Sequence, residues 1–147
     1  MAHVRKQIRD QIASVLASDV SLVSGRVYQS RVYPLHEAKL PAITVYTGSE
    51  TSSLMVMGAK TLARTASIMV DAYVRATANL DDDMDAIAVQ IEEAIADDFT
   101  VNGLAKDAVL VSTDIDFSGE AEQPVGVVRL SYAVRYVTAI ENVETAK

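Results

Sequence analysis

The sequence predicts an α+β domain, with an antiparallel or mixed sheet of about five strands, two helices packed on one face and a protruding hairpin arm. Three observations predict it. Two segments repeat apolar residues at helical spacing. Several longer segments alternate apolar and polar residues, as strands with one wet face do. The order of these segments, helix, three strands, helix, two strands, lets both helices cover the apolar side of a single sheet.

The first helix spans Ala2 to Ala17. Val4, Ile8, Ile12 and Val15–Leu16 recur at helical intervals, while Arg5, Lys6, Arg9 and Asp10 take the other side. Ser24–Gly25 ends this region. Arg26 to Tyr33 is rich in β-formers and stops at Pro34, and Pro34 to Pro41 reads as a loop. Ala42 to Thr47 is a short strand. Gly48 to Lys60 reads as a hairpin arm, in which the apolar run Leu54, Met55, Val56 and Met57 follows polar residues and precedes Gly58. Two placements stay open for that run: an exposed contact patch at the arm's tip, or burial in the core.

Thr61 to Thr77 alternates throughout, with Leu62, Ala66, Ile68, Val70, Ala72 and Val74 against Thr65, Ser67, Asp71, Tyr73 and Arg75. Its length suggests that part of it runs past the domain body. Asn79 is the expected N-cap of the second helix, Leu80 to Asp98, whose buried stripe is Leu80, Met84, Ile87, Ala88, Ile91 and Ile95. Asp81, Asp82, Asp83 and Asp85 suit a helix N-terminus; Glu92, Glu93, Asp97 and Asp98 crowd the other end, where the dipole disfavours them. The helix has no Lys or Arg, so one outer face is strongly acidic. Asn102–Gly103 makes a turn. In the next strand Val109, Val111, Thr113, Ile115 and Phe117 take one face and Leu110, Ser112, Asp114 and Asp116 the other. After the loop Ser118–Gln123, Val125 to Thr138 forms a long strand whose Val128, Leu130, Tyr132, Val134 and Tyr136 share a face. Residues 1–138 thus make one domain, and 139–147 a polar, flexible tail.

Composition narrows the function classes. The chain has 147 residues, half of them hydrophobic, and no cysteine, which removes disulfides, thiol nucleophiles and thiolate metal sites. No apolar run approaches the roughly 20 residues that span a bilayer, and no signal-peptide pattern opens the chain, so a soluble, cytosolic product is expected. A formal net charge of −7 and a pI near 4.7 argue against a phosphate-gripping surface. Aromatic residues do not cluster with basic ones, and Tyr28, Tyr33, Tyr46, Tyr132 and Tyr136 lie in strands, where packing is their natural role.

Catalytic patterns are weak. No phosphate loop, dinucleotide fingerprint or nucleophile elbow occurs. His36 and Glu37 form an adjacent pair in a loop, and Asp114 and Asp116 share a strand face; an acid–base or metal-dependent enzyme built on these residues is the remote alternative. The aspartates from Asp81 to Asp85 lack the glycine and closing glutamate of a calcium loop. No catalytic residue, cofactor or metal is assigned. The positive signal is architectural: long strands, an arm and an acidic helix imply edges that other copies of the chain could cover.

Gly25-Arg26-Val27-Tyr28, Arg31-Val32-Tyr33-Pro34-Leu35 and Leu40-Pro41-Ala42-Ile43-Thr44-Val45-Tyr46 carry a resemblance to known proteins. So do the opening His3–Ile12, Leu80-Asp81-Asp82 and the segment Gly119–Thr138. Together they resemble the tail-terminator proteins of long-tailed phages, the relatives of the lambda minor tail protein U. The resemblance implies a hexameric ring at the head-proximal end of the tail. That ring caps the tail tube, stops its polymerisation and offers a docking face to the head-tail connector, with DNA passing through the lumen. Tail-tube or head-tail joining proteins are the alternative, since they share parts of the architecture. The arm residues Leu54, Met55, Val56 and Met57 are the expected contact with a neighbour or the tube. Asp81, Asp82, Asp85, Glu92 and Glu93 are expected to face the channel or the outer rim.

Overall fold

The computed structural model describes residues 2–29, 40–55, 60–75, 78–118 and 125–147, with no side-chain description for Ser118. Two helices, α1 (Val4–Asp19) and α2 (Leu80–Asp97), cover one face of a mixed sheet. Its strands are β1 (Val27–Tyr28), β2 (Ala42–Leu54), β3 (Thr61–Arg75), β4 (Asp107–Ser118), β5 (Val125–Ala139) and β6 (Asn142–Ala146). The path across the sheet is β1-β2-β3-β5-β4, with β6 added to β5 beyond the end of β4. Among the described residues only β1–β2 is parallel. This is the α+β architecture expected from the chain.

Strand alternation sets the core. Ile43 and Val45 of β2, Ala66, Ile68, Val70, Ala72 and Val74 of β3, and Val128, Leu130, Tyr132, Val134 and Tyr136 of β5 share one face by register and are buried together. From above, α1 adds Val4, Ile8, Ile12, Ala13 and Leu16, and α2 adds Met84, Ile87, Ile91, Ala94 and Ile95. The helices run antiparallel: Gln11 of α1 bonds Asp98 past the end of α2, while Ser21 and Leu22 past the end of α1 bond Gln90. Gly126 of β5 allows the start of α2 to lie close against the sheet, because a Cβ there would sit 2.9 Å from Leu80 Cδ1 and Met84 Sδ.

Three features differ from the sequence reading. Residues 142–146, expected within a loose tail, form β6; it pairs with β5, its Glu144 carbonyl accepts a hydrogen bond from Gln7 of α1 at 2.8 Å, and Ala146 packs against the core. The sheet therefore curls over the start of α1. The strand beginning at Arg26 stops at Tyr28, and residues 30–39 lie outside the described set, as do His36 and Glu37. Finally, β3 does not leave the domain body as a bare extension, because it pairs with β5 along its whole length from Thr61 to Arg75. The hairpin of β2 and β3 thus has a third strand behind it as far as Thr61.

Candidate assembly interface

At the hairpin end the chain emerges from the core through a partly buried polar cluster. Strict alternation would place Glu50 on the outer face with Thr44 and Tyr46. An irregularity between Thr47 and Glu50 adds a residue and turns Glu50 to the helix face, opposite Ala66. There it accepts from Arg5 Nη1 at 2.7 Å, from Arg64 Nη1 at 3.1 Å and from the Tyr136 hydroxyl. Arg64 Nε also donates to Thr138 Oγ1 at 2.9 Å. Burial, with the Glu50 contact, pushes the Tyr136 phenol well above its ordinary value. Beyond this cluster β2 has only polar, exposed positions until Leu54, which with the following Met55 is exposed, 60% and 52% respectively. Val56 and Met57, the other half of the expected apolar tip, lie outside the described residues.

The acidic helix is solvent-facing as well. Asp81, Asp82, Asp85, Glu92 and Glu93 are exposed. They are not gathered at one point: Asp81 and Asp82 line a groove of about 680 Å³ beside the start of α2, and Glu92 and Glu93 line a second of about 440 Å³ beside its end. Asn79 occupies the expected N-cap position but makes no side-chain cap bond there.

Both grooves are floored by β4, and here the structure corrects the expected strand face. The pairing of β4 with β5 slips between Leu110 and Ser112, so Val111 is an extra, bulged residue. Ile115 and Phe117 lie opposite Val128 and Gly126 on the helix face; Val109 lies opposite Ala133 on the outer face. The five residues expected to share one face are split between two. They are also not buried: Val111, Ile115 and Phe117 are 68%, 57% and 53% exposed, because α2 ends its cover short of β4 and β4 is the last strand of the sheet. Sequence reasoning missed this surface because it assumed unbroken alternation.

Among the described residues the outer face holds two ion pairs. Asp71, 1% exposed, accepts from Arg129 Nε at 2.9 Å, Arg129 Nη2 at 3.1 Å and the Tyr46 hydroxyl at 3.0 Å. Donating these bonds to Asp71 raises the Arg129 pKa further. Asp107 accepts from Arg135 Nε at 2.8 Å, and that guanidinium holds the carboxyl below its usual range. Asp114 and Asp116 are exposed on the same face, Asp114 directly across from Arg129. Among the described residues no group of three metal-ligating side chains forms. His3 has a structural place: it is the N-cap of α1, its Nδ1 accepting from the Arg5 amide at 3.0 Å. Burial, then the Arg5 charge, lowers its pKa. Among the described residues no helix is long and apolar enough to cross a membrane.

Residues 3–136 match the family model described as phage minor tail protein U. A chain in a solved structure of the virion of a native gene transfer agent particle is 14% identical, with a TM-score of 0.45, over 90% of this chain and 92% of that one. No curated protein matches the sequence.

Proposed function

Because the chain belongs to the phage minor tail protein U family, and is thereby a structural protein of a phage tail, we propose that it forms a hexameric ring closing the head-proximal end of the tail tube. One ring face meets the last layer of tube subunits; the other no longer repeats the tube's polymerising surface and receives the head-tail connector. The protein acts by shape and contact, without catalysis or cofactor. It assembles in the host cytoplasm and stays in the virion.

The observation that carries this reading is the amount of apolar surface one copy leaves exposed at its margins: Leu54 and Met55 at the hairpin end, and Val111, Ile115 and Phe117 along the last strand. Patches of this kind at the borders of a sheet are covered in assemblies. The hairpin end is assigned to the tube or a neighbouring subunit, supported from below by the Glu50 cluster and by β5. DNA passes the lumen without sequence-specific contact, consistent with a net charge of −7.

Electron microscopy of tails made without this protein tests the reading. A terminator leaves overlong, headless tails. Tails of normal length that lack heads point instead to a joining protein, and absence of tubes points to a tube subunit. The arm is tested by Leu54→Asp with Met57→Asp: the monomer should keep its circular dichroism spectrum and melting temperature, while ring formation and tail capping drop at least tenfold. Unchanged capping removes the arm from the interface.

A further inference from the structure

We infer that neighbouring copies join head to tail, the open β4 edge and the seam between β4 and α2 of one copy receiving the α1–β2 side of the next. The inference rests on the ring reading and deepens it by naming the two surfaces of the joint.

The receiving surface is defined by geometry. Among the described residues no strand pairs with the outer edge of β4, a strand of 12 residues. Ile115 and Phe117 face the groove beside the start of α2, rimmed by Asp81 and Asp82; Ala108 and Leu110 lie in the groove beside its end, rimmed by Glu92 and Glu93. The seam therefore has an apolar floor, an acidic rim and a ladder edge. A long, exposed, apolar edge strand is a template for another strand, and proteins normally cover it.

At the opposite border of the sheet, β1 pairs with β2 only at Ile43 and Thr44. From Gly48 to Leu54 the outer edge of β2 has no strand partner among the described residues. Above that edge α1 carries Arg9, which donates to Gln29 and to Thr47 at 3.0 Å each, and one turn before it Lys6, which is exposed and pairs with Asp10 at 2.8 Å. Residues 2–29 and β2 together hold four Lys and Arg against Asp10, Asp19 and Glu50, whereas α2 holds seven Asp and Glu and no Lys or Arg. The two borders thus have opposite sign.

Sign and polarity together select a second copy in one orientation. Two β4 edges brought face to face would set two acidic helices against each other, which costs energy at an interface. The β2 border offers the complementary charge. Strand direction agrees: β2 is antiparallel to β3, β3 to β5 and β5 to β4, so β2 and β4 run in opposite directions within one sheet. A second copy with its helices on the same side would present β2 to β4 in antiparallel pairing, the stronger ladder. Each copy then spends one border of each kind, and a contact between two different surfaces closes into a ring when its rotation permits.

The absence of cysteine makes the test direct. Thr113→Cys on β4 is combined in one chain with Thr51→Cys, Ser52→Cys or Ser53→Cys on β2. Each chain is oxidised both in concentrated solution and on purified tail tubes, then run on a denaturing gel. A ladder of covalent multimers is expected from at least one double variant, and monomer alone from every single variant. A second pair of proteins tests the surfaces without a crosslink. Ile115→Asp with Phe117→Asp spoils the β4 side, and Lys6→Glu with Arg9→Glu spoils the α1 side. Each alone should lose every species above monomer, and the two mixed should give a one-to-one dimer that grows no further. The joint is overturned if wild-type rings form while no double-cysteine chain gives a ladder. It is also overturned if Thr113→Cys alone gives a dimer, or if the mixed variants stay monomeric. Should wild type form no oligomer in solution or on tubes, the ring reading itself falls, a result separate from any of these.

Discussion

Asp71 shows how much of this sheet depends on single side chains. Its carboxylate is almost fully removed from solvent on the sheet's outer face, and its two oxygens are taken by a bidentate guanidinium and a tyrosine hydroxyl. Removing one partner of such a pair leaves a buried charge, which costs more than the pair's net contribution. Arg129→Ala should therefore lower stability by about 3 kcal/mol, and Arg129→Lys should recover only part of it, since an ammonium cannot make the paired geometry. Urea denaturation checks both; a loss within about 0.5 kcal/mol, the ordinary range for a surface change, would mean that Arg129 serves only as surface charge. Glu50 belongs to the same class. Glu50→Ala would leave Arg64, with a side chain 10% exposed, without its carboxylate, and should cost about 3 kcal/mol by the same argument.

Helix starts and strand registers decide the elements. The first turn of α1 is capped by His3 through Nδ1, which must be unprotonated to accept the Arg5 amide. Burial and nearby arginines lower the folded pKa below 6.5, so the native state binds less proton than the unfolded chain. The stability this gives is present above pH 6.5 and is lost as pH falls through the folded value. His3→Asn, a cap that does not titrate, should flatten the pH dependence of the melting temperature between about pH 7 and 5. An unchanged slope would show that His3 does not cap. The elements also explain what the sequence could and could not reveal. The apolar faces of β3 and β5 follow strict alternation, so their buried residues were legible one by one. Two single-residue irregularities were not, since nothing in a pattern of alternating residues marks where one is skipped. One carries Glu50 from the outer face to the helix face, and the other parts Val109 from Ile115 and Phe117. The same second slip is why the hairpin end stood out in the sequence as the contact surface while the β4 edge did not. The strand β6 was hidden for another reason: Asn142–Ala146 is mostly exposed and polar, so it carries no core signal, and it is held by backbone pairing and by Gln7.

At the scale of the whole molecule, charge acts twice, and the two actions respond to salt at different distances. Copies with a net charge of −7 repel one another. For domains of this size, with centres about 30 Å apart in water, that repulsion is about 7 kcal/mol before screening. At about 0.01 M salt the screening length is about 30 Å and much of the repulsion survives; at about 0.15 M the length is about 8 Å and little does. The attraction between the acidic α2 side and the basic α1 side works across a few ångströms at contact, so it persists at about 0.15 M and fades only near 1 M, where screening reaches about 3 Å. Self-association should therefore rise from about 0.01 to 0.15 M salt and weaken again toward 1 M. Sedimentation at a fixed protein concentration measures this directly. A joint built only from apolar contacts would strengthen steadily with salt, because screening would remove repulsion and nothing else. A steady rise across the whole range would thus remove opposite charge from the joint while leaving the apolar seam in place.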